Sequence, residues 1–293
     1  MFPRFLFVVL RQLTVPENSL NQVNLLSVNS ERPLMRFLSI TRLSLLAIVA
    51  GAFFSCSPEK EDFTSEPLSD YMPLVVGKYI TYRLDSMVFK AFGRTTEIHE
   101  YQVKHQVNAI VTDNNGNPSY RIYRYIRDAA GIQPWQVQIE GTYFITPKTD
   151  QIEVIEDNLR FIKLHLPIKD GFSWKGNTYL TDDPYSPAGY NFSNDNDMED
   201  WDFYYDNFSP AFTYKSINYT NVYTVEQVDE SLNIPITVPT AYASRSRSVE
   251  KYSKNIGLVY REYELWEYQP NTGGSGGPYK NGFGITMWMI DHN

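Results

Sequence analysis

The chain of 293 residues contains one cysteine, Cys56, and only four histidines. A single cysteine excludes an intramolecular disulfide framework. The histidines, His99, His105, His165 and His292, have neither a cysteine partner nor the His-x-x-x-His spacing of a helical zinc site. Basic residues are also in the minority, with 26 Lys and Arg against 34 Asp and Glu. This acidic balance disfavours non-specific binding to nucleic acid.

Signatures of catalysis are absent from the sequence as well. It has no Gly-x-Ser-x-Gly nucleophile elbow, no phosphate-cradling loop and no zinc-protease motif. The glycine-rich run 273–277 lacks the following lysine of a phosphate loop, so it is interpreted as a flexible hairpin loop. We therefore expect neither an enzyme nor a bound cofactor.

Long hydrophobic runs are missing too. The longest, 43–54, has twelve residues and is too short for a hydrocarbon core of about 30 Å, which needs roughly twenty. Arg36 and Arg42 precede this run, which is typical of a secretory signal. The Phe-Phe-Ser-Cys sequence that ends at Cys56 resembles the lipobox of bacterial lipoproteins. That resemblance implies that Cys56 is acylated, becomes the first mature residue and anchors the protein to a membrane.

This interpretation divides the chain into four segments. Because Met35 opens the basic region, residues 1–34 are predicted to be an upstream extension from a mis-called start, and 35–55 the signal peptide. Residues 56–70 are predicted to be a flexible acidic linker, and 71–293 a single β-rich domain. Without the five arginines and two glutamates before Cys56, the remainder carries 21 basic and 32 acidic residues, a net charge of −11.

Acidic residues lie directly after the anchoring cysteine. Glu59, Glu61 and Asp62 resemble the export tag of surface-exposed lipoproteins in Bacteroidota. The resemblance implies an outer-membrane protein that faces the medium. The alternative is that the three residues only keep a linker solvated.

Alternating apolar residues and abundant aromatics predict strands throughout the domain. In 79–89, Ile80, Tyr82 and Leu84 share one face, and 97–112 alternates in the same way before a turn and a returning strand at 120–127. Further strands are predicted at 135–139, 143–146, 151–155, 160–166, 219–228, 234–238, 247–252, 258–268 and 283–290. We expect a mainly β fold in which one curved antiparallel sheet forms a barrel or half-barrel.

Three stretches carry a family resemblance. They are 71–77, with Pro73-Leu74 and Gly77, then 166–174, and 252–259, with Gly257-Leu258-Val259. They are similar to uncharacterised Bacteroidota lipoproteins that share a Pro-Leu-x-x-Gly motif and a Gly-Leu-Val stretch. Ile80, where an aromatic is usual, and Ser253, in place of alanine, depart from that pattern. The resemblance implies a mainly β fold akin to the half-barrels of lipoprotein-carrier proteins, and it implies no catalytic residues.

The stretch 181–212 is predicted to be irregular and is the place where a site could lie. One hypothesis is a calcium site, whose oxygen ligands would come from Asp195, Asp197, Glu199 and Asp200. A second is a sugar-binding platform, whose rings would come from Trp201, Tyr204, Tyr205 and Trp266. The third is a plain acidic loop whose aromatics pack against the sheet.

A short motif at Asp85-Ser86-Met87 resembles the acceptor for O-glycosylation in exported proteins of Bacteroidota, which makes Ser86 a candidate modification site.

These patterns predict a lipid-anchored outer-membrane lipoprotein, exposed on the cell surface, with a non-catalytic binding or structural domain. Two alternatives stay open, namely a periplasm-facing half-barrel that carries an apolar ligand, and a glycan-binding surface lipoprotein. The expected partners are the membrane, through the N-terminal lipid, and a glycan or a protein. No nucleic acid and no cofactor are expected.

We expect protease treatment of intact cells to cleave the native domain, and a Glu59/Glu61/Asp62→Ala variant to be protected because it stays on the inner face of the outer membrane. Cys56→Ser should leave the membrane fraction, since no acyl chain can form. Immunoblots of shaved cells and of membrane fractions measure both effects. Unchanged membrane attachment of Cys56→Ser would contradict the anchor.

Overall fold

Twelve antiparallel strands make up most of this computed structural model, which describes residues 64–271, 273 and 276–293. The described residues belong to one compact unit, Phe63–Asn293. Cys56, Glu59, Glu61 and Asp62 lie outside the described residues. The strands are β1 (Tyr79–Lys90), β2 (Thr95–Thr112), β3 (Pro118–Asp128), β4 (Gln136–Pro147), β5 (Gln151–Glu156), β6 (Leu159–His165), β7 (Ser173–Lys175), β8 (Asp202–Tyr214), β9 (Ile217–Leu232), β10 (Ala243–Ser253), β11 (Gly257–Gln269) and β12 (Tyr279–His292).

Helical structure is limited to single turns. The α-helix α1 (Leu68–Tyr71) precedes the sheet, and two 3₁₀ turns, Ser186–Ala188 and Met198–Asp200, lie between β7 and β8. Within the described part of the chain, no helix has the length and apolar character needed to span a membrane.

All strands belong to one sheet in which each strand pairs with its neighbours in sequence, except that β6 does not pair with β7 and β1 pairs with β12. The strand order is β6-β5-β4-β3-β2-β1-β12-β11-β10-β9-β8-β7, so the two edges are β6 and β7, in the middle of the chain. These edges meet. The Ile162 amide on β6 donates to the Gly176 carbonyl at 2.7 Å, and the Trp174 indole on β7 donates to the Ile162 carbonyl at 2.8 Å. The sheet is therefore nearly closed into a barrel, and the predicted fold class is confirmed.

The strand predictions differ from the structure at several positions. Residues 202–214 form β8, although the sequence predicts an irregular stretch over 181–212, and 234–238 form no strand. The predicted strands 135–139 and 143–146 belong to one strand, β4, and the three-residue β7 is not predicted. On β8 the polar residues Asp206 and Asn207 coincide with a shift of register against β9, which interrupts the apolar alternation. Backbone pairing with β9 nevertheless keeps the segment extended.

The folded domain begins before residue 71. The C-terminal part of the predicted flexible linker 56–70 therefore belongs to the domain. Leu68 is buried, and the Ser65 hydroxyl accepts a hydrogen bond from the Ile168 amide at 2.8 Å. Tyr71 is 1% exposed and packs edge-on against Tyr223 at 5.3 Å between ring centroids. Residues 64–77, here called the α1 segment, therefore pack against the sheet.

We expect Gly282→Ala to lower the free energy of unfolding by more than about 2 kcal/mol. Gly282 has φ +124°, and a Cβ there would lie 2.2 Å from the Leu265 carbonyl oxygen on β11. Gly116→Ala is the matched control, because Gly116 also has positive φ (+80°) but has nothing within 4 Å of its Cβ direction. Urea unfolding of both variants measures the difference, and equal losses would contradict the steric argument.

Candidate functional site

A cavity lies inside the barrel, beneath the end of the α1 segment. It contains about 720 Å³ of space free of protein atoms, part of it open to solvent, and about 90 Å³ is available to the centre of a water molecule. The cavity is therefore narrow but has room for several waters or a slender ligand. Most of its wall is apolar, and its lining residues are Met72, Pro73, Leu74, Lys78, Tyr79, Ile80, Tyr82, His105, Val107, Ile122, Tyr143, Ile145, Val154, Glu156, Lys163, Glu250, Tyr252, Ile256, Gly257, Leu258 and Arg261.

The mouth and upper wall come from two of the stretches that carry the family resemblance. Met72, Pro73 and Leu74 come from the α1 segment, and Gly257 and Leu258 from the start of β11. The Asn255 amide donates to the Asp70 carbonyl at 2.6 Å, which joins the α1 segment to the turn before β11. The motif positions thus meet around the cavity, although they are about 180 residues apart in the chain.

The other part of the wall is ionic. Glu156, Lys163, Glu250 and Arg261 line the cavity there, and Arg124 bonds to Glu156 without lining the cavity. We call these five residues the charged floor; Arg124, Glu156, Lys163, Glu250 and Arg261 lie on β3, β5, β6, β10 and β11. Lys163 Nζ is 2.9 Å from Glu250 Oε1, and Arg261 Nη1 is 3.0 Å from Glu156 Oε2. Arg124 donates to the other oxygen of Glu156, and Arg261 Nε is 3.3 Å from Glu250 Oε1.

Glu250 is 2% exposed and has a full set of donors. Besides Lys163, the Gln227 amide donates to its Oε2 at 3.0 Å and the Tyr252 hydroxyl at 2.7 Å. Burial alone would raise the pKa of Glu250, but the charges of Lys163 and Arg261 outweigh burial and lower it. Glu250 is therefore ionised at neutral pH.

Glu156 is ionised for the same reason. Its burial favours the neutral acid, but Arg261, Arg124 and Lys163 together hold the pKa of its carboxyl well below the usual range. Burial likewise lowers the pKa of the Lys163 ammonium, and Glu250 opposes that effect. The salt bridge to Glu250 favours the charged ammonium, so the floor consists of charged groups paired across the barrel.

A neutral histidine lies beside the floor. The Nδ1 of His105 on β2 is 3.2 Å from the Tyr143 hydroxyl on β4. Burial, assisted by the charge of Arg124, lowers the pKa of His105 to about 3. His105 is partly buried and lines the cavity. This histidine is hydrogen-bonded, and it shares a strand face with buried Val103 and Val107.

The segment between β7 and β8 contributes to a buried apolar cluster. Leu180, Phe192 and Met198 are buried in one cluster with Tyr263 and Leu265 of β11. Their apolar side chains lie in the same cluster as strand residues from both halves of the sheet. The segment 177–201 is therefore part of the core of the domain, although it lacks strands.

The proposed calcium ligands do not form a cluster. Asp195 is 1% exposed and lies in the segment 177–201, whereas Asp197, Glu199 and Asp200 surround the second 3₁₀ turn. Among residues 64–271, 273 and 276–293, no three His, Cys, Asp or Glu residues are grouped so that they could hold a metal ion. The four residues accordingly offer no three-carboxylate set.

The predicted sugar-binding platform is wrong for two of its four rings. Tyr205 is 0% exposed and its hydroxyl donates to the His165 carbonyl at 2.8 Å, while Trp266 is 6% exposed and packs against Phe89. Trp201 and Tyr204 are partly buried. The rings of Tyr205 and Trp266 contribute to cores on β8 and β11, so their faces are not available to a sugar in solution.

Ser86 lies within β1, paired with His99 on one side and Ile285 on the other. It occupies the eighth of the twelve positions of this strand. Its glycosylation stays a prediction.

None of the residues of the charged floor is among the site residues predicted from the sequence, although a pattern marks most of them. Arg261 falls between Val259 and Tyr263, and Lys163 between Phe161 and His165, on strands that had been predicted. A charge at an alternating apolar position of a strand indicates a buried ion or an inward-facing site. Partners on other strands could not be inferred without the sheet order.

No family model matches the chain, and no curated protein matches it either. Membership of the resembled lipoprotein family therefore stays a prediction. Among solved structures, a protein from Bacteroides fragilis, assigned as exported and with a YmcC-like fold, aligns at 10% identity and a TM-score of 0.29, over 75% of this chain and 96% of that chain.

Two further solved structures align more weakly. A DUF1329 family protein from Desulfovibrio piger has 10% identity and a TM-score of 0.17 over 78% of this chain and 93% of its own. A Vibrio parahaemolyticus domain assigned to outer-membrane lipoprotein sorting has 12% identity and a TM-score of 0.18, over 74% of this chain and 85% of its own. Likenesses this distant identify neither a ligand nor an activity.

We expect acid to destabilise the domain through His105. Unfolded His105 titrates near 6.5 and folded His105 near 3, so between these values the unfolded state binds the extra proton. The contribution of neutral His105 to the free energy of unfolding is therefore complete above about pH 6.5 and decreases as the pH is lowered below that value. The loss from pH 7 to pH 5 is up to about 2 kcal/mol.

Urea unfolding at the two pH values measures this loss, and pH 5 stays above the range where Glu156 and Glu250 protonate. His105→Gln, which can still bond to Tyr143, should reduce the pH dependence. His99→Gln is the control, since His99 is partly exposed beside Glu97 and should leave the dependence intact. An unchanged loss in His105→Gln would contradict the assignment.

Proposed function

We propose that this chain is a lipid-anchored protein of the outer membrane whose β domain is a non-catalytic binding module for a slender apolar ligand. Acylated Cys56 would hold the domain at the membrane, where apolar molecules partition. This proposal combines the anchor predicted from the sequence with the cavity found inside the barrel. A periplasm-facing domain that carries an apolar ligand is one form of this function. Protease treatment of intact cells decides which face of the membrane the domain occupies.

The cavity is the observation that carries the proposal. Ile122, Ile145, Val107, Val154 and Leu258 supply apolar wall around a space that the packed sheet leaves unfilled. Protein cores are ordinarily filled to the density of organic crystals, and ligand pockets are mostly apolar clefts with a few placed polar groups, so this space supports a role in binding. A hydrocarbon ligand that filled this space would be stabilised by the burial of apolar surface and by dispersion contacts with the wall.

Two exposed apolar residues come directly after the lining residues of the α1 segment in the chain. Val75 and Val76, next to the lining residue Leu74, are 63% and 51% exposed. Such residues provide an apolar path between the mouth and a membrane or a delivering protein. Their position supports a role in exchange of an apolar ligand.

The electrostatics of the floor support binding without catalysis. Glu156 and Glu250 both have lowered pKa values, because each is paired with cations, and neither is a suitable general acid near neutral pH. His105, with its pKa lowered to about 3, is a poor general base for the same pH range. These groups are suited to hold charge in place rather than to exchange protons.

We expect Val154→Phe to weaken binding of 1-decanol, a neutral slender ligand, at least tenfold. The larger ring would occupy space in a cavity that offers only about 90 Å³ to the centre of a water molecule. Isothermal titration calorimetry measures the affinity. Val137→Phe is the matched control, because Val137 is 48% exposed on β4 and does not line the cavity.

Thermal unfolding confirms that both variants are folded before they are titrated. Failure of the native domain to bind 1-decanol, or equal binding by Val154→Phe, would overturn the proposed function.

A further inference from the structure

Cations and aromatic rings share the outward face of β1–β4, beside the mouth of the cavity. On β3, Arg124 belongs to the charged floor and Ile126 packs against a buried core cluster, so both face inward. Because side chains alternate along a strand, Tyr125 and Arg127 face outward.

Strand register extends this outward face across the sheet. Tyr125 lies opposite Lys104 on β2 and opposite Val137 on β4. Residues that are opposite in register point to the same side of a sheet. We call the outward residues of this region the basic aromatic face; they are Tyr79, Lys104, Tyr125, Arg127, Trp135 and Val137.

Three rings surround the ammonium group of Lys104. Its Nζ is 4.7 Å from the ring centroid of Tyr125, 5.1 Å from that of Trp135 and 5.7 Å from that of Tyr79. The guanidinium carbon of Arg127 lies 4.1 Å from the centroid of Trp135. Cation–π attraction therefore holds both cations against the rings of the face.

Neither cation is paired with a carboxylate of the described residues. The side chain of Arg127 donates to the neutral Gln102 oxygen, from Nε at 3.0 Å and from Nη2 at 2.7 Å. Burial and the positive charge of Arg127 lower the pKa of Lys104, and no carboxylate opposes this effect. The ammonium of Lys104 thus has charge and N–H donors to offer to an external anion.

Three carboxylates lie beside the face, and each has a partner of its own. Asp128 accepts hydrogen bonds from backbone amides of the loop that follows it. Asp291 accepts from the Tyr79 hydroxyl at 3.1 Å, and Glu100 is 3.4 Å from Arg83. They therefore leave Lys104 and Arg127 without a direct ion pair.

Exposed apolar side chains complete the composition of this region. Val137 is 48% exposed, and Ile132, in the loop that leads to Trp135, is 80% exposed. Apolar residues, Trp and Tyr rings, and Lys or Arg together are the composition that proteins place at the boundary between lipid and water. This combination favours a lipid surface as the partner of the face.

The position of the face agrees with such a partner. Tyr79 belongs to the face and also lines the cavity, so the face adjoins the mouth. Thr64, the first described residue, comes eight positions after Cys56, and eight extended residues span at most about 28 Å. The predicted acyl anchor would therefore keep the domain within reach of the bilayer.

We propose that the basic aromatic face docks on the surface of a phospholipid bilayer, with Lys104 and Arg127 at the lipid phosphates and the rings at the level of the headgroups. This inference rests on the proposed function and adds a partner surface to it. A docked face places the cavity mouth at the bilayer, from which an apolar ligand would enter. The chain as a whole is acidic, with 34 Asp and Glu against 26 Lys and Arg, so an anionic surface would attract this face rather than the remainder.

The test measures sedimentation of the compact unit Phe63–Asn293, which lacks the acyl anchor, with lipid vesicles. One kind of vesicle is phosphatidylcholine alone, and the other is an equimolar mixture with phosphatidylglycerol. We expect the mixed vesicles to bind the domain at least about fivefold more tightly, since one Lys or Arg near an anionic surface contributes about 1 kcal/mol. Added salt should weaken this binding.

Substitutions locate the contact on the domain. Lys104→Gln should weaken binding to the mixed vesicles about fivefold, whereas Lys104→Arg should retain it. Trp135→Ala should weaken binding to both kinds of vesicle, because a ring at headgroup level is lost. Lys90→Gln and Phe92→Ala are the matched controls, since both residues are exposed at the other end of β1, and they should bind as the native domain does.

The outcomes separate docking from ligand binding. Lys104 does not line the cavity, so Lys104→Gln should bind 1-decanol as tightly as the native domain. Binding of 1-decanol without binding to either vesicle would overturn docking and leave the proposed function standing. Vesicle binding without 1-decanol binding would overturn the apolar ligand alone.

Two further results would overturn docking by this face. One is equal binding of the native domain to both kinds of vesicle, which would exclude a role for its cations. The other is loss of binding in Lys90→Gln or Phe92→Ala with unchanged binding in Lys104→Gln. Both comparisons decide even if Trp135→Ala does not fold, which melting curves of each variant show.

Discussion

Pairing of buried charges across the barrel is the constraint on which the rest of this structure depends. Removal of an ion from water costs several kcal/mol, and only a well-placed counter-ion offsets that cost. Arg261 on β11 bonds to Glu156 on β5, and Lys163 on β6 bonds to Glu250 on β10. Both pairs join the first half of the chain to the second. In the strand order, β5 and β6 stand at one end of the sheet and β10 and β11 in its other half, so both pairs connect strands that are not neighbours in the sheet.

Apolar packing accompanies these charges. On one side the α1 segment contributes Leu68 and Tyr71 to a core shared with β2–β6, and on the other the segment 177–201 packs against β11. The space that remains lies between the α1 segment and the charged floor. A ligand in this space would contact hydrocarbon along its length and fixed charge at one end. The ion pairs that connect the two halves of the sheet therefore also define the polarity of the cavity.

Much of the fold could be predicted from local pattern. Period-two alternation located ten of the twelve strands, in part or whole, since an antiparallel strand with one inward face must alternate. It failed at β8, where a register shift at Asp206 and Asn207 disturbs the pattern, and at β7, which has only three residues. The candidate site was less predictable. Trp266, proposed to meet a sugar, packs in a core, because exposure depends on what the sheet places next to a ring.

The sequence by itself determined the β class of the domain, its acidic charge and the pattern around Cys56 that predicts a lipid anchor. Only the tertiary structure decided which residues meet inside the barrel. Glu156 and Arg261 are 105 positions apart and share no local motif. Their contact follows from the order and register of strands, which bring distant side chains to one face. For that reason the cavity and its charged floor follow from the nearly closed sheet, not from any single stretch of the chain.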